Sequence, residues 1–286
     1  MNNAVAVQAA KPSNRQSFAS GITYILPLAL IMLVAFNVPI LLMLSWSIGD
    51  AAAPWVHYQK LVSTPVYIKV LGNTFEIALI ATAACVLLGY PLAYWIHQLS
   101  PGKRFIAIAL VVLPFWVSIL VRTYAWIVVL GNNGVVNRSL LELGWIEQPL
   151  SFLYNELGVI IGTANILLPF LVLPLLAAML KLDQRLLQAG ESLGASRHTI
   201  FWHIFFPLTL PALAAGAVLV FILTLGFFIT PAILGGGRVP MIANMLDILI
   251  NRLPRWELAA AISTVLLILT LCFYAVYHWI GQRGAH

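Results

Sequence analysis

The chain has 286 residues, of which 62% are hydrophobic and only 8% charged, against about 25% charged in an average soluble domain. That composition excludes an ordinary soluble enzyme and a disordered chain, and it makes lipid the main solvent. Fifteen Lys and Arg against nine Asp and Glu give a net charge of +6, too few and too dispersed for a nucleic-acid footprint, so the sign reads as membrane topology.

Residues 1–20 are polar and small and read as a loose cytoplasmic tail, leaving 21–286 as one membrane domain. A bilayer core about 30 Å thick takes about 20 helical residues. Six apolar stretches meet that length, at 22–48, 70–97, 105–130, 157–180, 212–234 and 258–281, and Glu76 and Arg122 are the only charges inside them. The first stretch, 27 residues long, exceeds the about 7 to 15 of a signal-peptide core, so a retained helix is expected rather than a cleaved leader. Pro27, Pro39, Pro91, Pro114, Pro169, Pro174 and Pro231 fall within or at the ends of these stretches and predict kinked helices. With the N-terminus inside, Lys11, Arg15, Lys103, Arg104, Lys181, Arg185, Arg197 and Arg283 face the cytoplasm against Asp183 and Glu191. Outside, Lys60, Lys69, Arg138, Arg238, Arg252 and Arg255 are balanced by Asp50, Glu142, Glu147, Glu156, Asp247 and Glu257, so the net charge lies on the inner face. The fold class expected is an all-α integral membrane protein with six transmembrane helices and both termini cytoplasmic.

Motifs that would mark other chemistry are missing. The sequence has no GxxxxGK[ST], HExxH or Gly-x-Ser-x-Gly, and its six His are scattered. Gly235-Gly236-Gly237 follows an apolar helix with no strand before it, so it reads as a flexible exit turn rather than a phosphate cradle. Cys85 and Cys272 lie in apolar runs and read as two buried thiols, with neither a disulfide nor a metal site expected.

Residues 181–211, between the fourth and fifth stretches, read as two short helices. Asp183 can cap the first, with Leu186, Leu187, Ala189 and Leu193 on and around one face and Arg185, Gln188, Glu191 and Ser192 largely opposite; Gly194 ends it. Ser196 can cap the second, which carries Ile200, Phe201, Ile204 and Phe205, and Pro207 and Pro211 close the segment before the next span. Periodicity alone is equally compatible with an interfacial helix that supports the bundle.

The spacing of Gln188-Ala189-Gly190, Gly194 and Ile204-x-Phe206-Pro207 resembles the cytoplasmic-loop signature of binding-protein-dependent ABC importer permeases: Glu-Ala-Ala, Gly four residues on, and Ile-x-Leu-Pro after a further nine. Pro114-Phe115-Trp116, 120–126, 130–134 and 228–236 are similar to the permease subunits of spermidine/putrescine importers. The resemblance implies a bacterial inner-membrane subunit that pairs with a related second permease, two cytoplasmic ATPases and a periplasmic solute-binding protein. ATP and Mg would bind the ATPase, with no cofactor in this chain. It further implies that loop 181–211 docks in a groove of the ATPase, with Ala189, Gly190 and Gly194 allowing close approach and Arg185, Glu191 and Arg197 making charged contacts. The motif's Glu, second Ala and Leu are here Gln188, Gly190 and Phe206. Gln188 keeps hydrogen bonding without charge, and Gly190 loosens the helix by roughly 1 kcal/mol.

Charges inside membrane helices usually face a cavity or a partner. Arg122 can snorkel, pair with another chain or line the solute path, and Glu76, a turn or two into its span, is either a shallow interfacial carboxylate or a cation-attracting one. A polyamine would also use aromatic and acidic groups such as Phe227, Phe228, Asp247, Trp256 and Glu257. Polyamine members of the family often carry an acidic residue where this chain has Phe227, which leaves γ-aminobutyrate, an opine or another amino-acid-like solute open. A secondary transporter or channel would need coupling-ion or gating charges at mid-membrane, and no such pair is visible.

Overall fold

The computed structural model describes residues 14–49 and 53–283. Lys11 and the rest of the tail to residue 13, together with Asp50, lie outside the described residues. The described residues contain helices and no strand. Helix α1 (Asn14–Ser47) begins within the segment read as tail and is followed by the short α2 (Val56–Ser63), then by α3 (Pro65–Gln98). Next come α4 (Pro101–Val112), a 3₁₀ turn (Leu113–Trp116), α5 (Ile119–Leu130), α6 (Val135–Glu142) and α7 (Glu156–Leu180). After α8 (Gln184–Ser192), helix α9 (Arg197–Ile200) passes through a π-helical segment (Phe201–Phe205) into α10 (Phe206–Leu225). The chain ends with α11 (Ile229–Leu234), α12 (Ile242–Asp247), a π turn (Ile248–Arg252) and α13 (Trp256–Arg283). Six of these helical stretches are long and apolar enough to cross a membrane.

Four of the predicted spans coincide with single helices, α1, α3, α7 and α13; the other two do not. The stretch 105–130 is broken between α4 and α5, because Pro114 has no N–H to continue the ladder and Val117 and Ser118 take extended backbone angles (ψ 131° and 137°). The stretch 212–234 is broken at Gly226, so Phe227 and Phe228 stand between α10 and α11 rather than inside a span. Conversely, Pro207 and Pro211 do not close the loop. Pro207 lies in the first turn of α10, where its missing N–H costs little, and the π segment before it absorbs the mismatch, since Phe206 N–H bonds to Phe201 O, five residues back. The helix therefore runs unbroken from Arg197 to Leu225.

The core is a three-helix contact of α3, α7 and α10, built on Cys85, Ala93 and Ile96, on Leu167, Leu171 and Leu175, and on Leu213 and Val220. Lipid supplies no hydrophobic drive between helices, so close backbone approach at small residues must hold them. Gly89 and Gly216 provide it: a Cβ at Gly89 would run into Leu171 of α7, and one at Gly216 would reach van der Waals contact with the same residue. Helix α1 packs mainly against α13, and the described part of α1 is largely exposed. Both cysteines are free, but only Cys85 is buried; Cys272 faces outward on α13, whose apolar outer surface suits lipid as well as a core. The turn at Gly235 to Gly237 is not loose, because Gly236 (φ 55°) sits against the ring of Tyr154, and Tyr154 N–H donates to Leu234 O at 2.8 Å.

Candidate functional site

The loop between α7 and α10 is the part of the chain with the most specific sequence signal, and its geometry follows from its caps. Asp183 Oδ1 accepts from Arg185 N at 2.9 Å and starts α8. Gly194 ends it at φ 80°, with Gly194 N donating to Glu191 O (2.9 Å) and Ala195 N to Gly190 O (3.0 Å), the paired bonds of a Schellman turn. Ser196 Oγ then accepts from Thr199 N at 3.2 Å, which begins the long helix into α10.

The turn folds α8 back on that helix at Gly190. A Cβ there would lie 3.1 Å from Ile204 Cδ1 and 3.2 Å from Ile200 Cγ1, so the small residue admits an internal packing contact. The close approach that Gly190 allows is thus within this chain: it is buried, and Leu187 nearby is half-buried against the core. The faces are redistributed accordingly. Leu186 and Leu193, read on one apolar face with Leu187, are 48% and 88% exposed. Arg185, Gln188, Ala189, Glu191 and Arg197 are exposed with them. The signature's other residues divide, with Ile204 and Phe206 half-buried and Pro207 exposed.

An aromatic cluster holds the long helix to the end of α3. Phe201 lies 5.1 Å from Tyr94 and Phe205 lies 5.2 Å from Tyr94 and 5.3 Å from His97, ring centre to ring centre. Phe206 meets Tyr90 at 5.4 Å, and the Tyr90 hydroxyl is 3.0 Å from Thr209 Oγ1. Arg104 of α4 donates to His97 O and Leu99 O at 2.8 and 2.9 Å, capping α3 at the same place. Between α3 and the loop remains a cavity of about 260 Å³ lined by Tyr94, His97, Leu187, Glu191, Arg197 and Ile200, among others. Sequence reasoning passed over Tyr90, Tyr94 and His97. Their spacing along α3, matched by Phe201 and Phe205, is the signal that two helices share an aromatic seam.

The residues expected along a solute path are not gathered in one place. Glu76 borders a groove between α3, α10 and α13. Trp256 is the first residue of α13, packs edge-on against Trp46 (6.3 Å) and lines a separate groove between α1 and α13 with no residue in common with the first. Asp247 Oδ1 accepts from Asn251 Nδ2 at 2.7 Å. Phe227 packs on the core, while Phe228 is exposed and its carbonyl accepts from Asn244 Nδ2 at 3.2 Å. Arg122 on α5 is half-buried and its Nε has no hydrogen-bond partner among the described residues. Glu76 lies on α3 about 8 Å along the axis from the midpoint of this 34-residue helix. Among the described residues no group of His, Cys, Asp and Glu is placed to hold a metal ion.

Residues 25–285 match the family described as binding-protein-dependent transport system inner membrane component. The chain is 38% identical over 216 residues to the spermidine/putrescine transport system permease protein PotB of Haemophilus influenzae, covering 75% of each chain. To the Escherichia coli protein of the same name it is 37% identical over 227 residues, covering 79% of this chain and 82% of that one. Among solved structures, a bacterial ABC transporter that imports the acidic polysaccharide alginate contains a chain of the same fold, with a TM-score of 0.72 at 19% identity, covering 93% of this chain and 99% of that one. The MetNI methionine ABC transporter in an inward-facing form matches at TM-score 0.57 and 14% identity, covering 76% of this chain and 95% of that one. With the family matched over nearly the whole chain and the fold shared with importer subunits, the protein belongs to the binding-protein-dependent transport system inner membrane components and is a permease subunit of an ABC importer.

Proposed function

We propose that this chain forms half of the membrane path of an ATP-driven importer for polyamines, spermidine or putrescine, released to it by a periplasmic binding protein. The observation that carries the substrate is the identity of 37–38% to two permeases named for spermidine/putrescine transport, over three quarters or more of this chain. A related second permease completes the path, and two cytoplasmic ATPases, which hold the ATP and Mg, drive it. Both termini are cytoplasmic, which puts loop 181–211 on the ATPase side, as the excess of Lys and Arg there supports.

Coupling is a mechanical contact. The exposed face of α8, with Arg185, Gln188, Ala189, Leu193 and the Gly194 turn, meets the ATPase. Displacement of α8 passes through Gly190 to Ile200 and Ile204, along the unbroken helix into α10, and through the aromatic seam into α3. Packed elements of this kind move as units rather than deforming continuously. Labelled spermidine, putrescine and γ-aminobutyrate are to be offered at low concentration to cells with and without this chain, the other subunits intact. Selective loss of polyamine uptake is expected, together with copurification of an ATPase. Retained polyamine uptake with loss of γ-aminobutyrate uptake would overturn the substrate while keeping the machine.

A further inference from the structure

Helix α4 is lightly seated. Of its 12 residues only Ala107 is buried, with Ile108 and Val111 half-buried against the core. Its polar fastening is Arg104, whose Nη2 donates to His97 O and Leu99 O across the corner between α3 and α4. The sequence leaves both carbonyls in need of a donor. The N–H that would continue the α3 ladder to His97 O belongs to residue 101, which is a proline and has none. Leu99 and Ser100 take extended backbone angles (ψ 150° and 156°), which puts Leu99 O outside the ladder as well. One guanidinium nitrogen satisfies the pair with charge-assisted bonds at the negative end of the helix dipole.

His97 is thereby a junction of three helices. Its ring lies 5.3 Å from Phe205, on the long helix that leaves loop 181–211, while its carbonyl holds Arg104 of α4. The far half of the third span has a different anchor. Helix α5 packs mainly on α11, where Thr123 Oγ1 and Thr230 Oγ1, both fully buried, are 3.3 Å apart. Between the two halves stand Val117 and Ser118, extended and exposed, so rotation about their backbone bonds breaks no contact of the core. Two half-helices with separate anchors and a non-helical joint between them have the parts of a hinge.

We infer that Arg104 is a positioning residue for transport: through His97 it fastens α4 to the end of α3 that meets the loop helix, so that displacement of the loop swings α4 about Val117 and Ser118 while α5 stays on α11. The inference rests on the mechanical coupling proposed above and extends it to the third span. Arg104 acts on the solute only through the helix it holds. A side chain of equal reach without a donor would leave the carbonyls unpaired and α4 free of α3, whereas an ammonium, with three donors, can still bridge them.

The test uses the complete importer in liposomes, with labelled spermidine, binding protein and ATP, and reads uptake and ATP hydrolysis together. Arg104→Met is expected to lower uptake tenfold or more while hydrolysis stimulated by loaded binding protein falls less than twofold, and Arg104→Lys to keep half or more of the uptake. A loss of packing alone would lower both readouts in step and would not be rescued by Lys. Spin labels at Ile106→Cys on α4 and Val128→Cys on α5, both exposed positions, in a Cys272→Ser background, follow the joint directly. Their separation is expected to change by several ångströms between the ATP-free and ATP-bound complex, and by less than half as much in Arg104→Met. Uptake that survives Gly194→Arg would reject the coupling reading itself. Uptake blocked by Gly194→Arg but unchanged in Arg104→Met would overturn the role of Arg104 alone. So would an unchanged label separation in the parent complex, or absence of Arg104→Met from the membrane fraction with Arg104→Lys present in normal amount, which makes the charge a determinant of insertion.

Discussion

Gly190 and Gly194 stand four residues apart in one motif and do different work. Gly194 is required by its backbone, since at φ 80° an L side chain is strained although a Cβ there would meet nothing within 4 Å. Left-handed backbone at a residue with a bulky side chain costs roughly 1 to 2 kcal/mol, and Asn tolerates it best. Gly194→Arg should therefore abolish ATP-driven uptake with normal membrane insertion, whereas Gly194→Asn should keep at least half of it; uptake in cells, normalised to the amount of chain in the membrane fraction, separates the two. Gly190 is required by space. Gly190→Val would place a branched side chain against Ile200 and Ile204, with the first carbon already at 3.1 to 3.2 Å. On the proposed coupling the expected result is a tenfold or greater fall in uptake at unchanged insertion, since α8 is lifted off the helix it packs on. Substituting exposed Ser192, whose hydroxyl bonds only Gln188 O in its own helix, should leave uptake within twofold.

At the scale of the element, four of the six spans were legible as uninterrupted apolar runs, because an all-round apolar helix needs only length. The two misread runs show where length fails. Residues 105–130 and 212–234 are apolar throughout, yet Pro114 with Val117 and Ser118, and Gly226, break the helices inside them. Pro207 and Pro211 misled in the opposite direction, since the π segment at Phe201–Phe205 lets the helix pass Pro207 and Pro211 lies inside α10 without ending it. Of the candidate site, the caps at Asp183, Gly194 and Ser196 were legible because they are local. The aromatic seam of Tyr90, Tyr94 and His97 and the Phe75–Phe221–Phe273 triad were not, because each joins residues from helices far apart in sequence, and the inward turn of Gly190 was not, because it depends on how α8 packs back on Ile200 and Ile204. Asn137 shows an element held by one side chain. Fully buried, it donates to Gly131 O and Leu150 O at 3.0 and 2.9 Å and accepts from Leu150 N at 2.8 Å, tying α6 to both flanking segments. Asn137→Ala leaves those groups unpaired, and a local loss of about 2 to 3 kcal/mol is expected. Limited proteolysis of 131–155 in purified protein should accelerate markedly while the rest of the chain keeps its resistance.

At the scale of the whole molecule, α8, the Arg197–Leu225 helix, α3 and α7 form one continuous packed train. On the proposed coupling, a push on the outer face of α8 would pass to the Arg197–Leu225 helix, which packs on α3 through the aromatic seam and with α7 in the core. Helix α1, mainly in contact with α13, stands outside this train. The central claim is that this chain admits polyamine in response to ATP hydrolysis by a partner. The most direct measurement is accumulation of labelled spermidine inside liposomes containing the purified complex, with binding protein outside and ATP supplied to the ATPase side. The account predicts accumulation that requires ATP and this chain and is lost with Gly194→Arg. Spermidine entry at the same rate without ATP, or undiminished accumulation by the Gly194→Arg complex, would contradict it.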